Sequence, residues 1–174
     1  MKPVVGIVVG SDSDLPLVSE TTGILDKLGI PFEVTIGSAH RTPHRVDEYV
    51  STASDRGIQV IIAVAGLAAH LPGVVASRTI LPVIGVPVDG GPLNGVDALY
   101  SIVQMPGGIP VASMAIGKAG ARNAAVFAAE ILALKDPQIA ERLADYRREM
   151  AESVESKAKK LSEVGLAKYI EDRK

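Results

Sequence analysis

Short apolar runs alternate with segments of helical periodicity along residues 1–134 of the chain. The runs are rich in Val and Ile, which is typical of strands that are buried on both faces. They predict strands over residues 4–9, 32–36, 59–64, 82–86 and 111–116. Apolar residues at steps of three and four predict helices over residues 15–28, 43–56, 72–79, 97–104 and 119–134.

Repeated strand–helix units of this kind favour a parallel sheet with helices on both faces, connected by right-handed crossovers. We therefore predict an α/β fold over residues 1–134. Its architecture is a three-layer α/β/α sandwich, flavodoxin-like in size. The helix over 119–134 is rich in Ala, and we expect it to be buried because small side chains allow close packing.

A long amphipathic helix is predicted to begin at Asp136-Pro137, where Asp suits the N-cap and Pro the first helical position. Its apolar stripe consists of Ile139, Leu143, Tyr146, Met150, Val154, Ala158 and Leu161. A helix of this length exceeds what one small domain can cover. We expect a single domain over residues 1–174, in which 135–174 form a helical extension that packs between the subunits of a homo-oligomer.

The composition excludes several classes of protein. The chain of 174 residues has no Cys and a net charge of −2, which excludes thiolate chemistry and argues against a nucleic-acid partner. No apolar run approaches the roughly 20 residues that span a membrane, and the N-terminus lacks the pattern of a signal peptide. We expect a cytoplasmic protein that does not contact membranes.

Polar and small residues follow each of the first three predicted strands. The loops are GSDSD at 10–14, SAHRTP at 38–43 and AGLAAHLPG at 65–73. Open parallel sheets bind ligands at the carboxyl ends of their strands, so these loops predict a ligand site. The first loop suits a phosphate, but taken alone it is better explained by helix capping. His70 in the third loop either binds the ligand or caps the following helix.

His40 and Arg41 give the strongest functional signal. Thr42-Pro43 predicts a helix start, which places His40 and Arg41 just before the helix, at the edge of the sheet. Such a loop offers no core for them, and an imidazole exchanges protons near neutral pH. His44 is expected on the surface of the first helical turn. No HExxH, P-loop or GxGxxG motif is complete, so the sequence predicts neither a metal nor a cofactor.

Several motifs in a fixed order are similar to those of the N5-carboxyaminoimidazole ribonucleotide mutase family of de novo purine synthesis. They are GSDSD at 10–14, SAHRTP at 38–43, AAHLPG at 68–73, GVP at 85–87 and SIVQMPGGIPVA at 101–112. The resemblance extends over nearly the whole chain. It implies a flavodoxin-like fold, a homo-octamer, no cofactor, and conversion of N5-carboxyaminoimidazole ribonucleotide to 4-carboxyaminoimidazole ribonucleotide on the route to IMP.

The resemblance also implies roles for individual residues. His40 would be the catalytic acid–base in a decarboxylation followed by recarboxylation. Ser11 and Arg41 would hold the phosphate with Ser38 nearby, and Asp14 would bind the ribose hydroxyls. The imidazole and the migrating carboxylate would be walled by Gly66, Ala68, His70 and Leu71. The MPGG loop at 105–108 would close a site on a neighbouring subunit.

Two segments depart from the family pattern, and two other functions stay open. Gly66-Leu67 stands where Gly-Gly is usual, and Asp89-Gly90-Gly91-Pro92 is more flexible than expected. A second branch of the family carboxylates aminoimidazole ribonucleotide directly with carbon dioxide and carries a Ser-Asn type sequence where this chain has Ala68-Ala69-His70. The chain resembles the mutase branch; the alternatives are the direct carboxylase and a non-catalytic nucleotide-binding module.

Overall fold

The computed structural model describes residues 2–173 and contains a five-stranded parallel sheet with the order β2-β1-β3-β4-β5. The strands are β1 (Val5–Val9), β2 (Phe32–Ile36), β3 (Val60–Ala65), β4 (Val83–Pro87) and β5 (Ala112–Ser113). Every residue of β1, β3 and β4 is buried. This burial is what uniformly apolar runs predict for strands covered on both faces.

Helices cover both faces of the sheet, which confirms the predicted three-layer α/β/α sandwich. The helices are α1 (Leu15–Lys27), α2 (Pro43–Ser51), α3 (Ala53–Arg56), α4 (Leu71–Ala76), α5 (Val96–Val103), α6 (Lys118–Ala133), α7 (Pro137–Val164) and α8 (Leu166–Glu171). Helices α1 and α6, with the start of α7, share one apolar core with one set of alternating strand residues. Helices α2 to α5 share the second core with the other set.

The structure corrects two predicted elements. The helix expected over 43–56 is interrupted at Thr52, whose hydroxyl donates to the carbonyl of Glu48 at 2.8 Å. Such a bond from a Thr side chain to the carbonyl four residues earlier often bends a helix. The strand expected over 111–116 is only Ala112–Ser113, because Pro87 of β4 has no N–H with which to continue the ladder.

The long C-terminal helix begins as predicted. The Asp136 carboxylate caps α7 by accepting hydrogen bonds from the amides of Gln138 and Ile139. Ile139 and Leu143 are buried against the core of their own chain, whereas Met150 and Val154 further along are 55% and 62% exposed. The apolar stripe therefore continues beyond the part that its own domain covers. No helix within residues 2–173 is long and apolar enough to cross a membrane.

Helix α6 packs closely because its buried face consists of Gly and Ala except for Leu132 near its end. A Cβ added at Gly120 would lie 1.6 Å from the carbonyl oxygen of Ala115, whereas a Cβ at Gly23 in α1 would meet nothing within 4 Å. Since a backbone carbonyl cannot rotate away, we expect Gly120→Ala to lower the free energy of unfolding by about 1–3 kcal/mol. Denaturant titration at a fixed protein concentration measures this change.

Gly23→Ala is the matched control. It makes the same substitution at an exposed position of α1, and it should raise the free energy of unfolding by roughly 0.5–1 kcal/mol because Ala loses less backbone entropy on folding. Equal stability of the two variants would contradict the close contact at Ala115.

Candidate functional site

The loops after β1, β2 and β3 meet at the carboxyl edge of the sheet around one cavity of about 670 Å³. Every site residue predicted from the sequence lines it: Ser11, Asp14, Ser38, His40, Arg41, Gly66, Ala68, His70 and Leu71. Strands β2 and β3 pair with β1 on opposite sides, so the loops that follow them flank the loop after β1. The topology thus brings together residues that are far apart in sequence.

Two imidazoles meet in this cavity. Nε2 of His40 lies 2.5 Å from Nδ1 of His70, and the rings are inclined by 72° with centroids 4.7 Å apart. A hydrogen bond at this distance requires that one ring nitrogen donates and the other accepts. His70 occupies the N-cap position of α4 but makes no capping hydrogen bond. Of the two roles considered for His70, the structure therefore places it in the cavity beside His40.

The loop that carries His40 is held by side chain–backbone hydrogen bonds. The amide of Ser38 donates to the Thr42 hydroxyl at 2.9 Å, and the amide of Thr42 donates to the Ser38 carbonyl at 2.9 Å. Pro43 then starts α2 with a backbone already suited to a helix. This arrangement turns His40 and Arg41 out of the strand direction. His44 lies in the first turn of α2, is exposed and does not line the cavity.

The guanidinium of Arg41 connects the first two loops. It donates to the carbonyl of Gly10 at 3.4 Å, and the backbone amide of Arg41 donates to the Ser38 hydroxyl at 3.2 Å. Within residues 2–173, Arg41 forms no salt bridge with a carboxylate. Its positive charge is therefore available to an anion in the cavity, and Arg suits phosphate because it presents several donors in one plane.

The loop after β1 folds into a single 3₁₀ turn over Asp12–Asp14. Ser11 is its N-cap, and its hydroxyl accepts from the Ser13 hydroxyl at 2.9 Å. Partial burial raises the pKa of Asp14 above the usual carboxyl value, the Ser13 hydrogen bond opposes this, and the nearby Asp12 charge adds to it. Hydrogen-bond donors on a ligand, such as sugar hydroxyls, would favour the ionised form of Asp14.

The loop after β3 contains an unusual backbone conformation. Leu67 has a φ of +54°, in the left-handed region that favours glycine. Its neighbour Gly66 is packed tightly, since a Cβ there would lie 3.2 Å from Cβ of Val88. Leu67 stands where the family usually has the second glycine, and a glycine would adopt this backbone conformation without strain.

The model of the AIR carboxylase family matches residues 4–153. The chain belongs to the AIR carboxylase family. The N5-carboxyaminoimidazole ribonucleotide mutase of Pyrococcus horikoshii is 56% identical to it, over 98% of this chain and 96% of that protein.

Two further members of the family are informative. The phosphoribosylaminoimidazole carboxylase of Saccharomyces cerevisiae is 53% identical over 99% of this chain, which spans only 30% of the yeast protein. The crystal structure of Treponema denticola PurE matches this AIR carboxylase family member with a TM-score of 0.83 at 31% identity, over 91% of this chain and 98% of that one. The structural match agrees with the fold predicted from the sequence.

Several cavity residues escaped the sequence analysis. Val88, Gly90 and Gly91 follow β4 and line the cavity. The rule that ligands bind at the carboxyl ends of strands applies equally to β4, because β4 pairs with β3; extending it by one strand would have found these residues. Within the described chain the MPGG loop at 105–108 does not line this cavity, and Met105 instead packs against Gly73 of α4.

No group of three or more His, Asp or Glu side chains that could hold a metal ion occurs among residues 2–173.

Proposed function

We propose that this protein is an N5-carboxyaminoimidazole ribonucleotide mutase, which moves a carboxyl group from the exocyclic nitrogen to a ring carbon of an aminoimidazole ribonucleotide. The observation that carries the proposal is the contact between His40 and His70 in a cavity that also holds Arg41. This combination places a histidine that can transfer protons near an arginine whose charge can bind a phosphate. The P. horikoshii mutase, similar over nearly its whole length, supports the same substrate.

His40 would act twice in the reaction. It first donates a proton to the carbamate nitrogen, and the C–N bond breaks with its electron pair going to nitrogen, which releases carbon dioxide and a free amine. The ring carbon, made electron-rich by that amine, then attacks the carbon dioxide and forms a C–C bond. His40 finally removes the proton from this ring carbon and restores aromaticity, so that no proton is consumed overall.

The remaining predicted residues bind and enclose the substrate in this proposal. Arg41, Ser11 and Ser38 hold the phosphate at the junction of the first two loops, and Asp14 accepts hydrogen bonds from the ribose. The small residues Gly66 and Ala68 leave room for the flat imidazole near His70. A water-poor cavity matters here because free carbon dioxide must recombine before it escapes.

Two other functions compete with the proposed mutase activity. The yeast relative is named a carboxylase, so direct carboxylation of aminoimidazole ribonucleotide is the main competitor. The other is a nucleotide-binding module without turnover, for which a histidine pair beside Arg41 has no evident use.

Turnover of the purified protein decides between these functions. The assay measures formation of 4-carboxyaminoimidazole ribonucleotide from the N5-carboxylated substrate, and separately from aminoimidazole ribonucleotide with bicarbonate, each with and without ATP. A mutase uses the first substrate without ATP and far more efficiently than the second. Preference for the second substrate would identify the direct carboxylase, and binding without turnover would identify the module.

We further propose that the active form is a cytoplasmic homo-octamer in which residues 135–174 pack between subunits. Exposed apolar side chains on α7 support this, because isolated domains rarely leave such a stripe uncovered. A second exposed stripe, Leu93, Val96, Tyr100 and Val103, runs along α5 and its approach. The MPGG loop, which does not reach the cavity of its own chain, is available to a neighbouring site in such an assembly.

A truncation tests the role of α7. A chain that ends at Glu149 keeps Ile139 and Leu143 in the core and retains the Lys27–Glu149 salt bridge. We expect sedimentation to give a mass near eight chains for the full-length protein and a smaller assembly for the truncated one.

A pair of full-length variants provides the control. Val154→Glu should weaken the assembly because it places a charge in the apolar stripe, whereas Ser153→Glu on the neighbouring exposed face should not. A full-length protein that sediments as a monomer would contradict the oligomer.

A further inference from the structure

Leu67 connects two walls of the cavity. It lies in the loop after β3, its side chain is 55% exposed, and it points towards the segment that follows β4. A Cβ built on Gly91 would lie only 2.4 Å from Cδ2 of Leu67. The leucine side chain therefore rests on the backbone of Gly91, which has a φ of +71°.

A second contact joins the same two loops nearer the sheet. Gly66 packs against Val88, and the amide of Val88 donates to the carbonyl of Ala65 at 3.0 Å. Beyond Val88, the segment over 89–95 has few internal restraints. Its own backbone hydrogen bonds run from Asn94 to Gly91 and from Val96 to Leu93, at 3.2 and 3.1 Å. Leu67 contacts this segment at Gly91, on the cavity side, whereas Ile116 contacts it at Gly95.

The backbone of Leu67 is held in a conformation that leucine rarely adopts. Only Leu67 and Asn94 have a positive φ among the non-glycine residues of the described chain. Asn tolerates this region, whereas Leu lacks a polar side chain that could compensate for it locally. Such a backbone conformation is kept only where contacts with the surrounding residues stabilise it, and it occurs often at functional sites.

We propose that Leu67 is a positioning residue that retains carbon dioxide, by holding residues 88–91 closed over the cavity between decarboxylation and recarboxylation. The inference rests on the proposed function. Carbon dioxide is small and uncharged, so no ion pair or strong hydrogen bond can hold it, and only a closed apolar wall slows its escape. Val88, Gly90 and Gly91 supply that wall, and Leu67 keeps it in place.

Leu67→Gly removes the contact while preserving the backbone, because glycine adopts a positive φ without strain. The matched control is Leu134→Ala, which truncates a leucine that is 85% exposed at the end of α6, away from the cavity. Leu67→Ala completes the set as a variant that shortens the side chain. Thermal unfolding of all three variants establishes that the fold is intact.

The decisive measurement is the exchange of the migrating carboxyl group with dissolved carbon dioxide. Unlabelled N5-carboxyaminoimidazole ribonucleotide is converted in buffer equilibrated with ¹³C-bicarbonate, and mass spectrometry gives the ¹³C content of the product, corrected for a reaction without enzyme. We expect little label with the wild type and with Leu134→Ala, and several-fold more with Leu67→Gly. Free aminoimidazole ribonucleotide should also accumulate with Leu67→Gly.

Hydrogen exchange reports on the segment itself, independently of turnover. The amides of Asn94 and Val96 should exchange faster in Leu67→Gly than in the wild type. A Leu67→Gly product with no more label than the wild-type product overturns the role in retaining carbon dioxide. If the wild type converts no substrate, the proposed function fails. In that case amide exchange alone tests the positioning role, and unchanged exchange in Leu67→Gly would overturn it.

Discussion

Replacing His40 with Asn should abolish turnover while leaving the fold intact. Asn is similar in size and polarity but cannot exchange a proton near neutral pH, and His40 is exposed to the cavity rather than packed in a core. Acid–base groups contribute about 10²–10⁴-fold to a rate. Because the proposed reaction uses His40 for both proton transfers, we expect the loss of kcat to reach or exceed the upper end of this range.

His44→Asn is the control for this experiment. His44 lies four residues further along, in the first turn of α2, and does not line the cavity, so kcat should be close to that of the wild type. Circular dichroism and thermal unfolding check that both variants fold. A His40→Asn enzyme with near-normal kcat would contradict the mechanism, and equal losses in both variants would point to damage to the helix start.

The sheet and the cavity at its carboxyl edge were predictable because their signals are local. A strand buried on both faces requires an uninterrupted apolar run, and β1, β3 and β4 each have one. The boundaries depend on less local causes. Thr52 interrupts a helix through one hydrogen bond, and Pro87 shortens a strand to which it is adjacent only in the folded sheet. Neither effect can be read from the hydrophobic pattern of the segment it alters.

The loops that form the candidate site could be predicted from the sequence, but the distances between their side chains could not. The sequence identifies His40 and His70 as residues after β2 and β3, but their contact depends on the strand order, in which β1 lies between those two strands. Neighbouring strands are about 4.8 Å apart, so loops two strands apart meet only if they bend across the loop between them. The sequence motif does not reveal that bend, which the hydrogen bonds of Ser38 and Thr42 fix on one side.

Leu67 shows where comparison with a family pattern is more informative than periodicity. Hydrophobicity alone predicts that an apolar residue after a buried strand continues into the core, yet this side chain is more than half exposed. Its departure from Gly-Gly marked a position of unusual backbone geometry, and the structure shows a left-handed conformation there. What the residue contacts, Gly91 in a loop that begins after β4, required the folded chain.

Replacing Arg41 with Ala should weaken substrate binding far more than it slows the bound substrate. Arg41 is the only Arg or Lys in the three loops, and its guanidinium is anchored on the Gly10 carbonyl without a carboxylate partner in the described chain. Hydrogen bonds to a charged group are worth about 1.5–3 kcal/mol. The dissociation constant should therefore rise by roughly one to two orders of magnitude.

Two further variants make this result specific. Arg41→Lys keeps the charge but loses the planar set of donors, so it should lie between the wild type and Arg41→Ala. Arg45→Ala removes an arginine that binds the β2 backbone at Ile36 and does not line the cavity, so it should leave substrate affinity unchanged.

Titration of a non-reacting phosphorylated product gives the binding constants, and single-turnover kinetics gives the rate of the chemical step. Because the phosphate lies away from the reacting carbon in the proposed orientation, the chemical step should slow much less than binding weakens. An Arg41→Ala protein with normal affinity and abolished chemistry would instead place Arg41 on the migrating carboxylate and reverse the orientation of the substrate.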